Sequence, residues 1–224
     1  MNPNVICIFN SVDCGKSLLK YIFMENFEDY IFDNTRSDMD GNRERALSRM
    51  TEKPYMLVQM QPGWWKNHGH YGIHMTRDIR ARWAVTGHRH FGIKSFANEM
   101  KKSINDFDNL KEPRLSQMLT LRFEDYISDQ MYWFEKIAAY CSLPIEHQYK
   151  AASDQYNDWF STVDLVNIHR YVDDGKSLLQ KELDYISDAF ADYHTKYEYP
   201  ERLTIADLYP ETLLQDINQR EFKL

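Results

Sequence analysis

A chain of 224 residues, 43% hydrophobic and rich in Tyr, Phe and Trp, carries enough apolar surface for a substantial core, which excludes a disordered tail protein. No apolar run approaches the roughly 20 residues that cross a bilayer, Met1-Asn2-Pro3-Asn4 does not open a secretory signal, and Cys7, Cys14 and Cys141 are too scattered for a disulfide framework. With a net charge of -7 disfavouring nucleic acid and anionic membranes as partners, the expectation is a reduced, cytoplasmic globular protein.

Val5-Ile6-Cys7-Ile8-Phe9 is a β-rich apolar run that stops in the polar stretch Asn10 to Ser17. Leu18, Leu19, Ile22 and Phe23 then fall on one stripe of a helix. Tyr55 to Met60 reads as a second buried strand, stopped by Pro62-Gly63, and Tyr71 to Thr76 as a third that leads into a helix through Arg80, Trp83 and Ala84. The polar segment Lys101 to Arg114 reads as surface helix or loop, and Met118 to Arg122 as a fourth strand. Met131, Phe134, Ile137, Ala138 and Cys141 recur at helical spacing up to Leu143-Pro144, and Leu179, Leu183, Ile186 and Phe190 mark a further amphipathic helix. The tail after Pro200 is acidic and irregular.

Continuous apolar strands alternating with helices predict an α/β fold: a mostly parallel central sheet covered on both faces, in three layers. No repeat or Pro/Gly/Ser linker divides the chain, so one domain over residues 1–224 is expected, with a helical, acidic part from about residue 151. Ligands of such sheets bind at the carboxyl ends of the strands. That rule selects the positions after Phe9, Met60, Thr76 and Arg122.

Charge is not evenly spread. Residues 66–94 hold Lys66, Arg77, Arg80, Arg82, Arg89 and Lys94 against Asp78 alone, together with His68, His70, His74, His88 and His90. A basic island in an acidic chain points to a local anion site or, more plainly, to a solvated helix face. Arg77 stands at a strand end, whereas Arg80 and Arg82, on the helix that follows, read as solvated. His74 alternates with Ile73 and Met75 and reads as a satisfied, partly buried histidine. His68-Gly69-His70 and His88-Arg89-His90 lack a matching Cys or carboxylate set, and flanking arginines oppose a cation, so no metal is expected. Glu124 and Asp125 suit the N-terminal turn of a helix. Cys141 belongs to the core stripe, and Cys14 lacks a His–Asn/Asp partner set for nucleophilic work.

Asn10-Ser11-Val12-Asp13-Cys14-Gly15-Lys16-Ser17 matches the phosphate loop Gly-x-x-x-x-Gly-Lys-Ser/Thr except that Asn10 replaces the first glycine. Its place between a strand and an amphipathic helix is the one the chemistry needs. Successive backbone N–H groups and the helix N-terminus attract an anion, Lys16 adds a charge and Ser17 a hydroxyl. Asn tolerates left-handed backbone, so the exchange is compatible with the turn. A magnesium-dependent enzyme would also need an acidic strand end. Asp78 and Glu124-Asp125 are the candidates, and none follows a strongly hydrophobic strand directly.

Leu119-Thr120-Leu121-Arg122-Phe123-Glu124-Asp125-Tyr126, then Ile127-Ser128-Asp129 and a helix closing on Ala139-Tyr140-Cys141-Ser142-Leu143-Pro144, resembles a segment of the sulfotransferases, where a strand ends in Arg-Tyr/Phe-Glu-Asp and a helix ends in Phe-Leu-Gly-Leu-Pro. Met75-Thr76-Arg77-Asp78-Ile79-Arg80 is similar to that family's strand end, and Val12 to Leu19 falls where the family has its phosphosulfate loop. The order and approximate spacing of the three agree over residues 5–144. The resemblance implies a P-loop NTPase-like fold and the donor 3′-phosphoadenosine 5′-phosphosulfate (PAPS), with PAP as product. By position Cys14, Gly15, Lys16, Ser17 and Leu18 would hold the 5′-phosphosulfate and Arg77 the 3′-phosphate. The family's serine eight residues after that arginine is Val85 here, so Thr86 would take its place only if the helix is shifted.

Two departures bear on catalysis. Asp13 stands where the family has a basic residue, leaving Lys16 to supply the charge. The family's histidine base after the second strand is missing from Val58-Gln59-Met60-Gln61-Pro62, which leaves His68 or His70. The implied reaction passes a sulfuryl group to a hydroxyl or amine of a small-molecule or glycan acceptor. A small P-loop nucleotide or metabolite kinase, favoured by Gly15-Lys16-Ser17, and a non-catalytic anion-binding relative, favoured by Asp13, are the alternatives. The acceptor and the oligomeric state are not written in the sequence.

Overall fold

The apolar runs become strands of one sheet in the computed structural model, which describes residues 5–10, 19, 22–23, 25–27, 31–33, 55–58, 71–86, 92–109, 118–145 and 180–208. The strands are β1 (Val5–Asn10), β2 (Ile31–Asp33), β3 (Tyr55–Val58), β4 (Tyr71–Thr76) and β5 (Leu119–Arg122). They lie in the order β2-β3-β1-β4-β5, and every pairing is parallel. The sequence reading has four of these strands. It lacks β2, whose single apolar pair, Ile31-Phe32, is too short to register as a buried run. The chain therefore fills one side of β1 first and then crosses to the other, so that β1 pairs with β3 and β4.

The labelled helices are α1 (Ile79–Thr86), α2 (Ile93–Asp108), α3 (Phe123–Ser128), α4 (Gln130–Tyr140), α5 (Gln180–Ala189), α6 (Ala191–Lys196) and α7 (Ile205–Leu208). Leu19, Ile22, Phe23, Glu25 and Asn26 are helical as well, after β1. The polar segment beginning at Lys101 is thus the second half of a longer helix, α2. The expected helix from Leu178 to Tyr193 is two helices, broken where buried Phe190 takes φ -130° and ψ 26°.

By Cα packing the chain divides into two compact units, Met1–Arg77 with Met100–Thr162, and Asp78–Glu99 with Val163–Leu224. The first is built on the sheet. Side chains alternate across a strand, so Ile73 and Met75 of β4 share a face and join Ile6, Ile8 and Leu121 in one core. Leu19, Ile22, Phe23 and Phe27 cover that face together with Phe134, Ile137 and Cys141 of the α4 segment. Phe23, Phe27 and Phe134 meet with ring centroids 5.4–5.6 Å apart. His74 points to the opposite face of β4 and stacks on Phe107 of α2 at 3.8 Å. Helical side chains thus reach both faces of β4, which is buried along nearly its whole length. β5, at the sheet edge, buries Leu121 and exposes Thr120.

In the second unit α1 packs against α5. Trp83 lies 5.2 Å from Phe96 between ring centroids and donates its indole N–H to Glu182 Oε2 at 3.3 Å. Leu183 and Ile186 of α5 are buried, as is Phe190 just after it, in keeping with the apolar stripe read from the sequence. Thr204 and Asp207 close the first turn of α7 through reciprocal bonds of 2.7–3.3 Å.

Two helices stop in the same way. After α4, Leu143 N–H bonds Ala138 C=O at 2.8 Å and Ser142 N–H bonds Ala139 C=O at 3.2 Å, with Ser142 at φ 54°. After α6, Tyr199 N–H bonds His194 C=O at 2.8 Å and Glu198 N–H bonds Thr195 C=O at 3.2 Å, with Glu198 at φ 57°. Both are Schellman stops with a side-chain-bearing residue in the left-handed position that glycine usually fills, and both are followed by proline, Pro144 and Pro200.

Candidate functional site

The sheet brings together the ends of three strands that sequence reasoning singles out one by one. β1, β4 and β5 are hydrogen-bonded neighbours. Their carboxyl ends are level, because Asn10 pairs with Met75 and Thr76 pairs with Arg122. The chain therefore leaves the sheet from one edge after Asn10, at Arg77 and at Phe123. In parallel α/β sheets this is the edge where ligands bind.

Arg77 is buried at this edge. Its guanidinium carbon lies 4.3 Å from the centroid of the Phe123 ring, a cation–π distance, and both side chains are withdrawn from solvent. One residue before Phe123, Arg122 forks onto Asp125, with Nε donating to Oδ2 at 2.7 Å and Nη2 to Oδ1 at 2.6 Å. Asp125 and Glu124 occupy the first turn of α3, as the sequence predicts, where the helix dipole favours acids.

Arg80 and Arg82 overturn the expectation that they are solvated: they are 0% and 3% exposed. The physical reason is the network around Arg80. Asp78 begins α1 as its N-cap, accepting from Arg80 N–H at 2.8 Å. The same carboxylate grips the Arg80 guanidinium through Nε at 3.0 Å and Nη2 at 2.7 Å. Nη1 donates to Ser187 Oγ and to Glu201 C=O, each at 3.2 Å, and Nη2 also donates to Pro200 C=O at 2.7 Å. All five guanidinium N–H groups thus have acceptors. His194 Nε2 stands 3.7 Å from Asp78 Oδ1. Burial lowers the His194 pKa to about 4; Asp78 opposes that shift and Arg80 reinforces it. Sequence reasoning assigns nothing to His194 or Ser187. The available signal is Asp78 in the N-cap position of a helix.

Tyr140 closes α4 against the sheet. It accepts from Gly72 N–H at 3.3 Å and donates to Gly72 C=O at 3.0 Å, with its ring edge-on to Tyr71. Burial raises its pKa, which keeps the phenol protonated for that donation. Burial likewise pushes the Cys141 thiol up, as expected for a core cysteine.

Cys14, Gly15, Lys16, Ser17 and Leu18 lie outside the described residues, as do His68 and His70. Thr86 is the last residue of α1, and its side chain is not among those described. Among the described residues no group of three His, Cys, Asp or Glu side chains could hold a metal ion, and no helix is long and apolar enough to cross a membrane.

No family model and no curated protein matches the chain in sequence. Among solved structures it is similar to a sulfotransferase from Alicyclobacillus acidocaldarius, with 13% identity and a TM-score of 0.41 over 80% of this chain and 98% of that one. It is similar to the mouse sulfotransferase SULT7A1 complexed with PAP, with 9% identity and a TM-score of 0.46 over 75% of this chain and 65% of that one. It is also similar to a sulfotransferase domain from the curacin biosynthetic pathway, with 11% identity and a TM-score of 0.41 over 64% and 75%.

Proposed function

We propose that this chain has a three-layer, P-loop-like α/β fold of the sulfotransferase kind, binds 3′-phosphoadenosine 5′-phosphosulfate, and transfers its sulfuryl group to a hydroxyl or amine. The observation that carries this reading is the common edge. The strand that precedes Val12 to Leu19 and the strands that lead into the other two motifs resembling the sulfotransferases, β1, β4 and β5, are adjacent, with their ends level. Motifs dispersed over more than a hundred residues of sequence would not converge in this way by local pattern alone.

In this reading Cys14, Gly15, Lys16, Ser17 and Leu18 hold the 5′-phosphosulfate, and Arg77 holds the 3′-phosphate. Lys16 and the loop amides stabilise charge on the departing phosphate oxygen as the sulfuryl group moves in line to the acceptor. His68 or His70 takes the acceptor proton. The acceptor is a small molecule or a glycan, and neither nucleic acid nor membrane takes part.

The kinase alternative needs an acidic residue to hold magnesium at a strand end. Asp78, next but one after β4, engages Arg80 with both carboxylate oxygens and caps α1. This weighs towards a donor that reacts without a metal. Asp13 in the loop supports the second reading, an anion-binding relative without turnover.

Thermal unfolding separates the three. Adenosine 3′,5′-bisphosphate at about a hundred times its Kd adds ~2.7 kcal/mol, which for a chain of this size is a rise of roughly 5–10 °C in Tm. ATP–magnesium is expected to add much less. A clear shift with ATP–magnesium and none with the bisphosphate would sink the proposal. Transfer of radiolabelled sulfate to a panel of acceptors then distinguishes an enzyme from a silent binder.

A further inference from the structure

His194 of α6 is buried, and neither of its ring nitrogens has a hydrogen-bond partner among the described residues. Buried polar atoms ordinarily have one. Nε2 stands 3.7 Å from Asp78 Oδ1, too far for a hydrogen bond and near enough for an ion pair once the ring is charged. The Tyr193 and Tyr199 rings meet the imidazole edge-on, with centroids 5.9 and 6.1 Å away. Of the charges that act on it, Asp78 favours the protonated ring and Arg80 opposes it. Asp192 and Lys196 on its own helix are exposed, and Asp184 and Asp188 of α5 pair with Arg202 at the surface.

Asp78 Oδ1 is where these groups converge. It accepts from the Arg80 backbone N–H at 2.8 Å and from Arg80 Nε at 3.0 Å, and it faces His194. Arg80 in turn donates to Ser187 Oγ and to the Pro200 and Glu201 carbonyls, which ties the chain after α6 to the start of α1. While His194 is neutral, one carboxylate balances one guanidinium. A proton on His194 sets a second cation against the same carboxylate, in a place withdrawn from water. We propose that Asp78, Arg80 and His194 form an acid-operated latch: a proton taken from solvent by His194 sets Nε2–H against Arg80 in competition for Asp78 Oδ1, and frees the chain at Pro200 and Glu201 from α1. Opening admits water to the surplus charge, so it is the way the site accommodates the proton. The open form takes up that proton at the ordinary histidine pKa of about 6.5, and the closed form only near 4. Opening therefore becomes easier throughout that interval, and above it the latch stays shut.

Hydrogen exchange followed by NMR on the full chain at pH 7 and pH 5, corrected for the intrinsic effect of pH on exchange, tests this. Protection of the Arg80 Nε–H and of the Arg80 and Tyr199 amides is expected to fall roughly tenfold between the two. It should lie below that of the β4 amides at pH 5, which marks a local opening. Equal protection at pH 5 at these sites and in β4 would mean that the chain unfolds as a whole, and overturns the latch. His194→Gln keeps a polar side chain that takes no proton, and it is expected to abolish the loss between pH 7 and pH 5. An undiminished loss in that variant overturns the proposal. Should His194→Gln fail to fold, the wild type decides alone. A His194 ring that titrates in step with a shift of the Arg80 Nε resonance supports the latch, and one that titrates while that resonance stays in place overturns it.

Discussion

Arg77 and Arg80 belong to one short segment and are both buried, yet the sheet unit and the helical unit hold them by different physics. Arg77 lies against an aromatic face at the end of β4. Arg80 is enclosed by acceptors: a carboxylate that also caps its helix, a serine hydroxyl and two backbone carbonyls. A guanidinium with all of its donors engaged within the protein is a structural rivet. A ring contact engages the charge through the π face and not through an N–H donor. Burial alone does not distinguish the two, whereas the way each charge is compensated does.

The largest effect should come from breaking the rivet. Arg80→Met leaves the Asp78 carboxylate buried without its counter-charge, and removing one partner of a buried pair costs about 3–5 kcal/mol. At roughly 2–4 °C per kcal/mol, a scanning measurement should show Tm falling by about 10 °C. Combining it with Asp78→Asn, which keeps a capping side chain, should recover part of the loss. A drop of less than a couple of degrees for Arg80→Met would mean that the network is ornamental. Arg77→Ala should behave in the reverse manner. Its clearest effect should be on the ligand response: the rise with adenosine 3′,5′-bisphosphate should disappear. A rise equal to that of the wild type would remove Arg77 from the site.

His194 gives the helical unit a pH signature. Its folded pKa is near 4, below the ordinary 6.5, because burial next to Arg80 disfavours the charged ring. The unfolded chain therefore takes up a proton that the folded one refuses. Stability from this residue is complete above pH 6.5 and is lost as pH falls towards 4, by about 1–3 kcal/mol. Denaturant melts between pH 7 and pH 4 should show His194→Gln with the flatter profile. Parallel profiles for the two proteins would show that His194 carries no such penalty.

What the sequence discloses depends on how local the cause is. β4 is legible from Tyr71 to Thr76 because Tyr71, Ile73 and Met75 recur at alternate positions of a short segment. The Asp129 cap, which accepts from Tyr132 N–H, and the helix stop before Pro144 are equally local. Of the site, Arg77 is legible as a strand-end residue, but its contact with a ring is not, since Phe123 follows another strand. Arg80 is misread altogether. On its own helix it is a polar residue like any other. It is buried by Ser187, Pro200 and Glu201, which lie 107–121 residues further along.

The smallest expected effects come from a device found in both units. Ser142 and Glu198 hold left-handed backbone at φ 54° and 57°, where a side chain costs about 1–2 kcal/mol that glycine does not pay. The greater unfolded-state freedom of glycine offsets part of the gain, so Ser142→Gly and Glu198→Gly should each stabilise by about 0.5–1 kcal/mol. The two substitutions act in different units: Ser142 follows α4 over the sheet, and Glu198 precedes the Pro200 and Glu201 carbonyls that Arg80 binds. If the chain unfolds as one cooperative block, each should raise a single Tm by roughly 2 °C. If the units unfold separately, calorimetry should resolve two transitions. Ser142→Gly should then move only the one that Arg80→Met leaves in place, and Glu198→Gly only the one that Arg80→Met lowers. Glycine at 198 should also expose how the rivet is built. A stop that tightens the turn keeps both carbonyls on Arg80 and adds to stability, whereas one that lets the turn relax releases them, and the substitution would then destabilise the helical unit despite relieving its backbone.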